Sequence, residues 1–274
     1  MQSQVVDLMA YRGLDPVHER IKSTEMQGPH AAMRLELRGI DLSGKSLVNV
    51  DLSGLDLSNA NLAGADLTGA MLADTCLEGA NLERAVLESA TLRNAKLAGA
   101  NLAEVRATWA DFSGADLTKV RALGARCVDA TFGDAVLDGA DFTGAHLTRA
   151  ELFSARMVAT RFFCADLRAV DFEDANLTAA CFDEADMQAA RFRSVKGWES
   201  ASFVLADVRS ADFTGALLVQ EHARSQSWWW EWSQRSAMHR FIGAMRKRTG
   251  LGAVSLYRPV GIVLTLLVAG LVLT

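Results

Sequence analysis

From Leu37 to Phe192 an apolar residue recurs at every fifth position, 32 times without a register break. Nearly all of these residues are Leu, Phe or Met, with Ala107, Ala122 and Cys127 as small exceptions. Two residues before each sits a small apolar residue, usually Ala, as at Ala60, Ala65, Ala80 and Ala90. Between the two lies a polar residue, often Asp or Asn, as at Asp66, Asn81, Asn101, Asp141 and Asn176. Apolar, polar, apolar is the period-two signature of a strand with one buried face. The last two residues of each five are mostly Ser, Thr, Gly, Arg, Asn or Glu, which suit tight turns. A helix does not fit, because a strict period of five walks the apolar positions around a 3.6-residue helix and leaves no single buried face. Short strands and corners therefore wind into coils that bury their own centre, and each coil stacks on the next.

The repeat slips once. After Phe192 the apolar positions return at Phe203, Val208, Phe213 and Leu218, so one extra residue lies within 193–202, around "KGWES". A bulge or corner loop is expected there, with Trp198 exposed or packed over it. Both a tolerated insertion and a bump that binds a partner fit this reading. The centre also changes along its length. It is all Leu from Leu37 to Leu92, after which small centres at Ala107, Ala122 and Cys127 accompany Phe112 and Phe132. Small beside large reads as volume compensation in a packed core.

The units "ADLTG", "ANLER", "ADFSG" and "ANLTA" closely resemble the pentapeptide-repeat family, whose pattern is A(D/N)LXX, over about two-thirds of the chain. The resemblance implies an all-β fold, a right-handed quadrilateral β-helix with four repeats per coil. About nine coils spaced roughly 4.8 Å apart give a stack about 43 Å long. Residues 20 apart then share a face, which places Phe112 against Phe132 and strings Phe142, Phe162 and Phe182 into one ladder.

The ends are made of other material. Residues 1–36 read as an N-terminal cap, with Asp15-Pro16 starting a short helix to Ser23. Residues 37–218 are the β-helix. Residues 219–254 read as an aromatic and basic amphipathic linker helix, holding Trp228, Trp229, Trp230 and Trp232 ahead of Arg246, Lys247 and Arg248. Residues 255–274 read as a transmembrane helix. From Val260 to Thr274 there is no charge, and Arg258 falls near the interface, where it can snorkel. A Trp cluster, a basic run and an apolar stretch in that order describe a membrane anchor. The basic residues precede the span, which puts the β-helix in the cytoplasm. The chain stops while still apolar, which fits a complete tail-anchored protein and a piece of a longer multi-span protein equally.

Charge separates the parts further. Residues 37–218 carry 26 acidic and 17 basic side chains, whereas 219–274 carry 2 acidic and 7 basic. Cys76, Cys127, Cys164 and Cys181 have no CxxC spacing, and the five histidines form no ligand pattern, so neither a disulfide framework nor a metal site is expected. No nucleophile, phosphate-loop or dinucleotide motif occurs, so no catalytic residue and no cofactor is expected. The reading is a non-enzymatic, membrane-tethered scaffold. The bilayer holds the tail, a protein partner meets the β-helix, nucleic acid is not contacted directly, and the four-Trp segment or the apolar tail is a candidate for homo-oligomer formation. Arg149, Arg156, Arg161, Arg168, Arg191 and Arg193 crowd the later coils and are the candidate partner face. The alternative follows from the resemblance, because some family members bind DNA gyrase as acidic DNA mimics. Against it, duplex DNA carries a charge per about 1.7 Å, and this stack carries roughly one net charge per 5 Å.

Overall fold

The structure, a computed structural model, describes residues 37–233, with side chains to residue 227. Each five-residue unit contributes one bridge residue, one buried residue and one tight turn. Parallel bridges join residues 20 apart, from Asp41↔Asn61 to Asn176↔Lys196, and 21 apart from Cys181↔Ser202 onward. The strands expected from the alternation are thus reduced to single bridge residues, which form four rows. Face 1 runs through Asp41, Asn61 and Asn81, face 2 through Ser46, Asp66 and Val86, face 3 through Asp51, Met71 and Thr91, and face 4 through Asp56, Cys76 and Lys96.

Backbone hydrogen bonding accounts for the motif. The bridge N–H donates down the stack (Asn61 to the Ile40 carbonyl, 2.8 Å). The core N–H donates upward (Leu42 to the Asn61 carbonyl, 2.7 Å), as does the N–H two residues on (Gly44 to the Ala63 carbonyl, 2.8 Å). The small residue closes the turn (Ala60 N–H to the Leu57 carbonyl, 3.0 Å). The one N–H left over belongs to the residue after the core position, and the Asp or Asn side chain takes it. Asp41 accepts from the Ser43 N–H at 3.1 Å, Asp66 from Thr68 at 3.1 Å and Asn176 from Thr178 at 3.0 Å. An unmet backbone donor is costly, so the polar letter of the repeat serves the backbone first.

Nearly every turn places a left-handed residue at its third position. Glycine fills many, and Asn or Asp others, including Asn49, Asn59, Asp74, Asn94 and Asp129. Gly99 sits there at φ +69 with nothing within 4 Å of where a Cβ would be. A Gly99→Ala variant therefore loses about 1–2 kcal/mol from backbone handedness alone, read by urea denaturation.

All 32 repeat positions from Leu37 to Phe192 are buried, as are Phe203, Val208 and Phe213. Phe112 and Phe132 stack at 4.8 Å between centroids. Phe142, Phe162, Phe182 and Phe203 form one ladder, and Phe172, Phe192 and Phe213 a second, with edge contacts between them. Two buried hydroxyls, on Thr75 and Thr160, donate to the Leu52 and Leu137 carbonyls at 2.9 and 2.7 Å.

Leu218 corrects the expected end of the repeat. It is 65% exposed and lies in a helix, α1, spanning Leu217–Ser233. Leu217 at the bridge position and Gln220 at the third turn position do not by themselves end the repeat, because Met71, Val86 and Val136 serve as bridges and Glu104 and Lys119 as left-handed turn residues within the stack. Leu, Gln, Glu, Ala and Arg in this stretch favour helix. Val219, Ala223 and Ser227, four apart, are buried and give α1 one inward face. The start of the expected linker helix is therefore the lid of the coil stack. The inserted residue forms a single 3₁₀ turn, Trp198–Ser200, entered through Gly197 at φ 67. A Cβ on Gly197 would meet the Thr178 hydroxyl at 2.0 Å. Trp198 packs against the core, which settles the two expected positions in favour of packing.

Candidate functional site

Outside the stack, side chains stand in rows that repeat with the coils. On face 1 the Asn61, Asn81 and Asn101 amides donate in series, Asn101 to Asn81 at 3.1 Å, Asn81 to Asn61 at 3.2 Å and Asn61 to Asp41 at 3.0 Å. Each Asn oxygen also takes its backbone N–H, so the row is tied vertically and locally at once.

The six arginines expected as a partner face are not brought onto one face. Arg156, Arg161 and Arg191 are bridge residues of faces 4, 1 and 3. Arg149 and Arg168 stand on the corner after face 2, and Arg193 on the corner after face 3. Each meets a carboxylate: Arg149 with Asp129 (2.6 Å), Arg156 with Asp138 (2.9 Å), Arg161 with Asp141 (3.7 Å), Arg168 with Asp166 (2.6 Å), Arg191 with Asp171 (3.4 Å) and Arg193 with Glu173 (3.6 Å). Five of the six partners belong to the coil below. These exposed pairs set the surface pattern and add little stability individually.

Of the expected membrane-interface residues, Trp228, Trp229, Trp230 and Trp232 fall in the later turns of α1. Arg246, Lys247, Arg248 and Arg258, the span at 255–274 and the N-terminal cap lie outside the described residues. Among the described residues no helix is long and apolar enough to cross a membrane.

Charge is spread unevenly over the four faces. Face 3 with the corner that follows it carries nine carboxylates and three arginines, whereas face 4 with its corner carries five carboxylates and five basic residues among the described residues. Arg93, Arg191 and Arg193 each neutralise one carboxylate of face 3, at Asp111, Asp171 and Glu173. Asp51, Asp74, Asp134, Glu151 and Asp174 form no ion pair among the described residues. Beside this face Trp109 is 64% exposed.

Several carboxylates are held below their ordinary range. The Thr68 hydroxyl and then its N–H do this for Asp66. Burial pushes Asp166 and Asp207 up, but the Arg168 and Arg209 guanidiniums and N–H groups outweigh it and leave both low. A lowered folded value contributes stability above the unfolded carboxylate range, and that stability is lost as pH falls through the folded value. The melting temperature is therefore expected to drop below about pH 4, and Asp207→Asn to reduce the drop, as followed by circular dichroism. Burial pushes the Cys127 thiol up to about 12, so it packs as a small apolar residue. Among the described residues no His, Cys, Asp and Glu group has the arrangement of a metal site.

Two residues that the repeat does not flag, His222 and Gln226 of α1, reach the last coil. The His222 ring lies 2.9 Å from the Ala201 carbonyl, and the Gln226 amide oxygen accepts the Phe203 N–H at 2.8 Å. Their one trace in the sequence is register, because position 222 continues the face 1 row through Cys181 and Ser202.

The pattern that defines pentapeptide repeats matches residues 46–84, 80–118, 125–162 and 155–193, eight copies covering more than half of the chain. The chain belongs to the pentapeptide-repeat family. The family fold is the right-handed four-sided β-helix, and the four rows of bridges are its sides. Similar solved pentapeptide-repeat structures include HetL, involved in heterocyst differentiation regulation, from the cyanobacterium Nostoc sp. strain PCC 7120. It is 30% identical over 61% of this chain and 75% of its own, with a TM-score of 0.38. A thylakoid-lumen pentapeptide-repeat protein of Arabidopsis thaliana is 34% identical over 45% of this chain and 74% of its own, at 0.28. QnrB1, a plasmid-mediated fluoroquinolone resistance protein, is 16% identical over 68% of this chain and 97% of its own, at 0.30. No curated protein matches the chain.

Proposed function

We propose that this pentapeptide-repeat protein is a non-enzymatic scaffold tethered to a membrane by its C-terminal segment, with the β-helix on the cytoplasmic side. The carrying observation is the surface itself. Its side chains stand in rows fixed by the coil repeat and tied to the backbone or to a neighbouring row, which suits recognition by another protein. Support for the tether comes from the uncharged stretch at 260–274 behind a basic and Trp-rich segment. The partner in this reading is a protein, and nucleic acid is not contacted. The test is fractionation of the intact chain through high-salt and carbonate washes. Retention until detergent is the expected result, and release by either wash removes the tether. Charge reversal at Arg246, Lys247 and Arg248 is expected to weaken binding to anionic vesicles, each charge being worth about 1 kcal/mol near the surface.

A second reading is the acidic DNA mimic acting on gyrase. The observation favouring it is the concentration of acidic excess on face 3. Loss of gyrase supercoiling on adding the intact chain, reversed by charge-neutral variants at Asp134 and Glu151, is the result this reading requires.

A further inference from the structure

In every regular coil the bridge residue makes two backbone hydrogen bonds to the coil before it. Its N–H goes to the carbonyl before the matching bridge residue, and its carbonyl takes the N–H after it, as Asn61 does with Ile40 and Leu42. On face 1 the row runs through Ser202, and the next member is position 222. Residue 222 lies in α1, where its backbone is committed to the helix. The two groups it would have met are nevertheless both engaged. The Ala201 carbonyl meets His222 Nε2, and the Phe203 N–H donates to Gln226 Oε1. Two side chains, four apart on one helix, thus imitate the missing bridge residue.

The imitation contains a conflict. With Gln226 Oε1 fixed by Phe203, its amide nitrogen faces His222 Nε2 at 3.0 Å. The Ala201 carbonyl can only accept a hydrogen bond, and the Gln226 amide nitrogen can only donate one. One ring nitrogen cannot serve both. A bare Nε2 accepts from Gln226 and turns its lone pair toward Ala201. A protonated Nε2 donates to Ala201 and sets its N–H against that of Gln226. The half-buried imidazole is flanked edge-on by Trp198, at 5.5 Å between ring centroids, and Phe203, at 6.0 Å. The inserted residue that builds the 3₁₀ turn therefore supplies one wall of this arrangement.

We propose that His222 and Gln226 form a proton-operated latch between α1 and the last coil, with Gln226 held on Phe203 while the imidazole is neutral and released when it becomes imidazolium. The charged groups nearby in sequence on the surrounding elements are Glu221 and Arg224 on α1, Lys196 and Glu199 flanking and within the 3₁₀ turn, and Asp183 on the coil beneath. No ion pair to the ring forms among the described residues. The ring is thus left to choose between its two neutral neighbours.

The test is amide hydrogen exchange at Phe203 in the intact chain, corrected for intrinsic rate, at about pH 8 and about pH 5. Protection in the native chain is expected to fall about tenfold on acidification, the equivalent of one neutral hydrogen bond. Gln226→Glu has nearly the same shape and removes the conflict, because a carboxylate accepts from both Phe203 and the imidazolium. In that variant protection is expected to rise as pH falls. Unchanged protection in the native chain overturns the latch. So does an equal fall in both proteins, which would place the acid response elsewhere.

Discussion

A Leu87→Asp chain does not fold. Leu87 is fully buried on the face 2 side of the core, between Leu67 and Ala107 in its row. The Leu87 N–H is engaged in the coil ladder with the Arg106 carbonyl, and the neighbours of the side chain in its row are apolar. An unpaired buried carboxylate costs several kcal/mol, and the lost leucine packing adds about 2–5 kcal/mol. Together these approach the whole stability of an ordinary domain, about 5–15 kcal/mol. Coils contact only their neighbours, so a broken coil also splits the stack into two shorter pieces with new open edges. Leu87→Met, which keeps volume and apolarity, is expected to lose less than about 1.5 kcal/mol. Far-ultraviolet circular dichroism and thermal melting separate the two outcomes. An Asp variant that melts like the native chain would remove Leu87 from the core.

Ending the chain after Gly215 is expected to give aggregated protein, whereas ending it after Ser233 keeps a folded β-rich stack. Without α1 the stack ends on Phe203, Val208 and Phe213, and the Phe203 N–H loses the Gln226 acceptor. An open coil edge is a template for another chain, and an apolar one is a stronger template. Truncation within α1, for example after His222, removes Ala223, Gln226 and Ser227 and is expected to behave like the shorter piece. Sedimentation and size-exclusion chromatography of the three lengths decide this. Equal solubility of all three would mean that α1 does not close the end.

The corrected boundary illustrates how far a repeat can be read. Leu218 satisfies the fivefold spacing as well as Phe213 does, yet the two end up on opposite sides of the surface. A spacing rule records where an apolar residue falls. It does not record whether a further coil is there to cover it. The six arginines do not share a face for a related reason. Arg149 to Arg193 are close in sequence, but a coil of 20 residues distributes them around four sides, and closeness along the chain is not closeness on a face. By contrast, the Phe142, Phe162 and Phe182 ladder was legible, because residues one coil apart must stack in register.

What the sequence by itself determined is the coil, since a period of five with a buried centre and polar turns leaves the chain one economical way to bury its apolar side chains, and the same period dictates which residues stack. What only the tertiary structure decided is where that logic stops. The use of each Asp and Asn as an acceptor for its own turn, the pairing of arginines with the coil below, and the substitution of His222 and Gln226 for a backbone bridge all depend on groups 18 to 23 residues apart or on exact hydrogen-bond direction. The letters of the repeat specify a polar side chain at such positions, and the partner it meets is set by the neighbouring coil.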